Sequence, residues 1–287
     1  MTTPSKELRA RIGITATPSR LSQVPLLVCG DIPGAFRQAA EWGCQGVEIH
    51  LRRAQDLDPQ IVKRLAADYG LGIPTLGTGL AARDGLSLAD PQPEVRARTV
   101  DRLRGHIEFA AEVGSAITIG SLSGKLGDCS GEERLGRRSQ ALESLREVCE
   151  FARRSGVTVL LEPLNRYECD YLNTLADGLQ VSAEIGAANL RLLADTFHMN
   201  IEEADLVGSL RAAGDSIGHV HLADTNREAP GHGHLDVGSV LEVLSEIKYR
   251  GYLAFEVFPL PDSHTAVRDG IAAISAASSA RRRPTAH

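Results

Sequence analysis

The stretch "PEVRARTVDRLRGHIEFAAEVGSAITIGS", residues 93–121, contains the pattern that decides the fold. Val95, Val100, Leu103, Ile107, Ala110 and Ala111 recur at spacings near three and four, with charges on the opposite face, as in an amphipathic helix. Gly114 ends that helix where a left-handed residue is wanted, and "AITIGS" (116–121) follows as a short apolar run. A helix closed by glycine and followed at once by a strand is the repeating unit of a parallel sheet.

The unit recurs along the chain. Comparable runs are "RIGITA" (11–16), "GVEIHL" (46–51), "GIPTLGTG" (72–79), "TVLLEPL" (158–164), "LRLLAD" (190–195), "IGHVHLAD" (217–224) and "YLAFEVF" (252–258), which with 116–121 makes eight. Gly43, Gly70, Gly156, Gly186 and Gly214 precede the next run as Gly114 does. Eight strands alternating with helices in 287 residues predict an α/β fold, a single (β/α)8 TIM barrel domain over 1–287. Its active site would lie at the C-terminal ends of the strands. The rival open, doubly wound sheet carries a glycine-rich fingerprint after its first strand, and "GITATPSRLSQV" has none. "GSLSGK" (120–125) is one residue short of phosphate-loop spacing. The end, "SSARRRPTAH" (about 278–287), reads as a disordered tail whose arginines are solvated.

Bulk properties narrow the function. A hydrophobic fraction of 43% with 24% charged residues suits a globular protein with a sizeable core. The net charge of −6 argues against nucleic acid or an anionic membrane as the partner. No apolar run approaches the roughly 20 residues of a membrane helix. The opening "MTTPSKELRARIGIT" has no apolar signal core, so a cytoplasmic location is expected. Cys29, Cys44, Cys129, Cys149 and Cys169 are odd in number and scattered, without a C-x-x-C pair. That pattern speaks against disulfides and a thiolate zinc site.

Chemistry gathers at the strand ends. The fifth run ends with Glu162 and the sixth with Asp195; the seventh carries His221 and the eighth Glu256. By alternation Leu160 and Glu162, His219 and His221, and Ala254 and Glu256 each share a face. If that face is the barrel interior, the four polar groups converge. Three carboxylates repel one another at close range, and one imidazole does not neutralise them, whereas a divalent cation does. Oxygen-rich ligation with one imidazole suits Mn²⁺, Mg²⁺ or Co²⁺. Beyond the strand ends, Asn165, Glu168, His198, Asp224, Asn226, Arg227, His232 and His234 give loops rich in hydrogen-bonding groups, as a polyhydroxylated ligand requires. Arg166, Glu202, Glu203 and Glu228 read as ordinary loop charges, and Lys125 as an exposed one.

The segments "LLEPLNRYE", "ADTFHMNIEE", "HVHLADTNREAPGHG" and "FEVF" resemble the xylose isomerase-like superfamily of sugar isomerases and epimerases, nearest the ketose 3-epimerase (tagatose/psicose 3-epimerase) group. The likeness is most specific from residue 158 onward. It implies that Glu162, Asp195, His221 and Glu256 bind a divalent metal, Mn²⁺ first. It also implies that Glu162 and Glu256 are the acid/base pair, and that Glu168, His198 and Arg227 contact the substrate. The implied reaction is proton transfer beside a carbonyl through a cis-enediolate, with ketose 3-epimerisation first. Aldose–ketose or hydroxypyruvate-type isomerisation, and inosose or keto-sugar dehydration or lysis, are the alternatives. A homo-oligomer, dimer or tetramer, is expected on the same ground. The first half departs from the pattern: aromatic residues expected after the first and fourth strands are missing from "TATPSRLSQV" and "SLSGKLGD", and the one tryptophan, Trp42, falls on a predicted helix. A DNA-repair endonuclease on this barrel would need more histidine ligands and a basic face. A non-catalytic binding barrel would be expected to have lost one of the two glutamates.

Overall fold

The computed structural model describes residues 10–280. Eight parallel strands form one sheet: β1 Arg11–Thr17, β2 Gly46–His50, β3 Thr75–Gly77, β4 Ala116–Ile119, β5 Val159–Leu161, β6 Leu190–Asp195, β7 Ile217–His221 and β8 Tyr252–Phe255. Each pairs with the next in chain order. The sheet closes because β8 returns to β1, with Arg11 opposite Tyr252 and Ile14 opposite Phe255. A two-residue strand, Val28–Cys29, extends the edge of β1. Closure removes the exposed edges that an open sheet would have to protect.

The helices form the outer layer: α1 Ile32–Glu41, α2 Pro59–Tyr69, α3 Pro93–Val113, α4 Gly131–Arg154, α5 Leu175–Ile185, α6 Thr196–Glu202, α7 Leu206–Ala213, α8 Val237–Glu246 and α9 Ser263–Ala280. Their starts follow capping chemistry. Asp31 accepts from Gly34 N at 2.8 Å and Asp58 from Gln60 N at 2.8 Å, each followed by a proline in the first turn. Thr174 and Asp177 cap α5 reciprocally. All six glycines expected to end helices have positive φ, but only Gly70, Gly114 and Gly186 are left-handed C-caps.

The core lies between strands and helices. Ile14, Val47, Ile49, Leu76, Ile117, Ile119, Val159, Leu161, Leu192, Val220 and Phe255 are fully buried at alternate strand positions. The intervening positions turn into the barrel, where the Thr75 and Thr118 hydroxyls meet at 2.9 Å. Gly46 and Gly72 leave room for the Tyr252 ring: a Cβ on Gly46 would stand 2.5 Å from it, and one on Gly72 2.1 Å from its hydroxyl.

The structure departs from the sequence reading in detail. Residues 278–280, assigned to a disordered tail, are the last turn of α9, and the remainder of that tail lies outside the described residues. The residues after Asp195, which carry His198, form a short helix, α6, and not a loop. Trp42 caps the end of α1 and stacks on His264 at 5.9 Å. "GSLSGK" folds as a single 3-10 turn over Ser121–Ser123. Among the described residues no helix is long and apolar enough to cross a membrane.

Candidate active site

Four side chains meet at the C-terminal mouth of the barrel. Glu162 is one residue past β5, Asp195 the last residue of β6, His221 the last of β7, and Glu256 one residue past β8. One ligand atom from each lies within 4.8 Å of the others. His221 Nδ1 stands 3.4 Å from Glu162 Oε1, 3.6 Å from Asp195 Oδ2 and 3.4 Å from Glu256 Oε2. Asp195 divides its labour: Oδ1 accepts from Phe197 N at 2.9 Å as the N-cap of α6, which leaves Oδ2 for the cluster.

Charge and burial show what the cluster suits. Glu162 Oε1 and His221 Nδ1 are buried without a hydrogen-bond partner among the described residues, and the buried Asp195 Oδ2 has only an ion pair to Arg227. Such orphaned polar atoms are costly unless a further group satisfies them. Arg227 supplies one positive charge, with Nη1 3.0 Å from Asp195 Oδ2 and Nη2 on Glu256. One guanidinium leaves the three carboxylates only partly compensated, and a divalent cation would complete the balance. Three hard oxygens and one imidazole nitrogen therefore fit Mn²⁺, Mg²⁺ or Co²⁺.

The carboxyl groups are not equivalent. Burial raises the Glu162 pKa, and the nearby His221 only partly offsets it. Burial acts the same way on Asp195 and Glu256, but the Arg227 guanidinium and neighbouring histidines outweigh it, holding both below the usual range.

Above the cluster opens a cavity of about 410 Å³. Glu168, His198 and Arg227, the three residues expected at the substrate, all line it with Glu162, His221 and Glu256. Asn165 N donates to His198 Nδ1 at 3.2 Å, and Asn165 Nδ2 donates to Glu168 Oε1 at 3.0 Å. Arg227 lies over the Phe197 ring at 4.6 Å and adopts φ +60, unusual for a residue with a side chain. Hydrogen bonds hold that conformation: Arg227 N to Asp224 O and Phe258 N to Arg227 O, both at 2.9 Å. Val24, Pro25, Leu26 and Leu80 give the cavity wall an aliphatic part.

Other expected residues fall elsewhere. Arg166 pairs with Glu202 at 3.0 Å, and Glu203 accepts from Leu175 N at 2.7 Å and Ser209 Oγ at 2.7 Å. His232 sits between Glu228 at 3.4 Å and Asp269 at 3.1 Å, and His234 is exposed. Lys125 donates to Tyr167 O at 2.7 Å, away from the cavity wall. Cys169 is buried, which pushes its thiol pKa up, and all five cysteines are free. Asp224 is an organiser: its carboxylate accepts from Thr225 N at 2.8 Å, Gly231 N at 2.7 Å and Leu235 N at 2.9 Å, shaping the loop that carries Arg227.

Two site residues went unread in the sequence. Glu48, fully buried on β2, and His50, two positions on, both turn toward the cluster. Their signal was present: "EIH" in "GVEIHL" places two polar residues on one strand face, as "HVH" does on β7.

A closed (β/α)8 barrel with a carboxylate–imidazole cluster at its C-terminal mouth has the layout of a barrel enzyme's active site. The family profile described as Xylose isomerase-like TIM barrel matches residues 36–277, and the chain belongs to that family. It is 34% identical over 249 residues to an L-ribulose 3-epimerase of Mesorhizobium japonicum, covering 87% of this chain and 82% of that protein. It is 33% identical over 244 residues to a 3-dehydro-D-guloside 4-epimerase of Escherichia coli, covering 83% and 91% respectively. The crystal structure of a D-allulose 3-epimerase from Methylomonas sp. in complex with D-allulose superposes with a TM-score of 0.79 at 26% identity, covering 93% of this chain and 97% of that one. With epimerases as relatives over most of its length, the chain is an enzyme of the isomerase class.

Proposed function

We propose that the protein is a divalent-metal-dependent sugar epimerase that inverts a carbon beside a carbonyl, with C3 of a ketose the first choice. The observation that carries this reading is the meeting of Glu162, from the end of β5, and Glu256, from the end of β8, at one cavity. Inversion needs one carboxylate to remove a proton and another to return it on the opposite face. A divalent cation held by Glu162, Asp195, His221 and Glu256, with Mn²⁺ the preferred choice, would act as a Lewis acid that makes the C–H beside the carbonyl removable. One glutamate takes that proton, leaving a cis-enediolate, and the second protonates the other face. Arg227, buried against the cluster, offers a fixed positive charge to the developing oxyanion. His198 and Glu168, which line the cavity, would hold substrate hydroxyls.

A second reading has its own support. The Escherichia coli relative is named for 4-epimerisation of a 3-dehydro-glycoside. Inversion at C4 beside a C3 carbonyl is the same proton transfer on a substrate extended by an aglycone.

Solvent-deuterium incorporation into a panel of ketoses and 3-keto glycosides, with Mn²⁺ present, tests both. Exchange at C3 of a ketose supports the first reading and exchange at C4 of a keto glycoside the second; exchange in neither overturns both. In the same assay Glu256→Gln should lose turnover by several orders of magnitude.

A further inference from the structure

Beyond the Nε2 edge of His221 lies Glu48, with no solvent exposure. A carboxylate is tolerated there only when strongly partnered. Its partners are three histidines. His219 Nε2 lies 2.9 Å from Oε2, and His221 Nε2 lies 3.1 Å from both oxygens. His50 Nε2 lies 2.9 Å from Oε1 and 3.8 Å from Glu256 Oε1.

An ionised carboxylate only accepts hydrogen bonds, so each imidazole nitrogen bonded to it must carry its proton there. For His221 this places the proton on Nε2. A neutral ring then presents its lone pair at Nδ1, the atom that faces Glu162, Asp195 and Glu256. Contact with both Glu48 oxygens also fixes the plane of the ring. The Glu48–His219–His221 triplet is itself a close group of metal-ligand types. Its nitrogen–oxygen distances are nevertheless those of direct hydrogen bonds, so its ligand atoms are already consumed by one another.

We propose that Glu48 is the positioning residue of the cluster: it sets the tautomer and orientation of His221 so that Nδ1 is available as a ligand. The inference rests on the metal-site reading above. Outer carboxylates of this kind raise a histidine's basicity as a ligand, and their loss costs about 10- to 100-fold in metal affinity.

Glu48→Gln preserves the shape but places an amide N–H₂ where histidine N–H groups already point. One ring must then take the other tautomer or lose its partner. Titration calorimetry with Mn²⁺ alone, on wild type and Glu48→Gln, should show Kd raised about 10- to 100-fold in the variant. The melting temperature of the metal-free protein, followed alongside, separates a loss of folding from a loss of affinity. Wild-type affinity in a folded Glu48→Gln overturns the proposal while leaving the metal site standing. A wild-type protein that binds no Mn²⁺ overturns both. If the Gln variant does not fold, Glu48→Asp, which keeps the carboxylate but shortens its reach, is read the same way. A Kd equal to wild type in Glu48→Asp also overturns the proposal, and an intermediate loss supports it.

Discussion

Gly120 shows how little space the site leaves at the level of single atoms. A Cβ at that position would stand 2.3 Å from Glu162 Oε2, so alanine must push the carboxylate out of place. Gly120→Ala is expected to lower kcat by about 10²-fold, the effect of a misplacement near 1 Å, while the unfolding midpoint changes little. A kcat within twofold of wild type would show that Glu162 has room to move. Residues at this scale differ in how legible they were. Glu162, Asp195, His221 and Glu256 each end an apolar run, so their cost stands out in the sequence. Glu48 sits inside one, where a lone acidic letter reads as an exposed strand position. Only its three histidine partners, two of them about 170 residues away in the chain, reveal it.

At the scale of elements, the segment after β7 is the most instructive. It has no regular structure, yet Asp224 holds it through backbone N–H groups, and Thr196 at the start of α6 clamps it from the side. The Thr196 hydroxyl donates to Ala223 O at 2.6 Å and accepts from Ala223 N at 2.9 Å. Burial alone would raise the Asp224 pKa, but the hydrogen bonds from Leu235, Thr225, Gly233 and Gly231 outweigh it and hold the group below its ordinary value. A folded pKa below the unfolded one adds stability above the unfolded value, about 3.9, and that stability is lost as pH falls through the folded value. Asp224→Asn is therefore expected to cost about 1–3 kcal/mol at pH 7 in urea unfolding, with the gap to wild type closing below about pH 4. A gap independent of pH would mean that the carboxylate charge does not hold the loop. The strands and long helices were legible from period and glycine stops. Helix α6 was not, because seven residues are too few to show a period and its cap, Asp195, is also a strand end.

For the molecule as a whole, closure is the feature on which the rest depends. β8 must dock on β1 across the full length of the chain, and Phe255 locks that seam from outside. Its ring is fully buried against α9, where a Cβ on Gly270 would stand 2.9 Å from it. Phe255→Ala is expected to destabilise the fold by about 3–5 kcal/mol in chemical denaturation. A cost below about 1 kcal/mol would show the seam to be held elsewhere. The eight-unit architecture was readable because each unit is local. What the sequence left open was the cavity's outer wall, since aliphatic residues in irregular segments carry no periodic signal.

That wall has a consequence for how such an enzyme diversifies. The four residues of the cluster lie from residue 162 onward, whereas Val24–Leu26, Gly77–Leu80, Arg83 and Ser121, from the first half of the chain, line the same cavity. On the proposed function the early loops would govern the molecule admitted, although Glu48, His50 and Gly120 tie the first half to the cluster as well. Drift in those loops would then change the diet of the enzyme while the cluster is passed on intact.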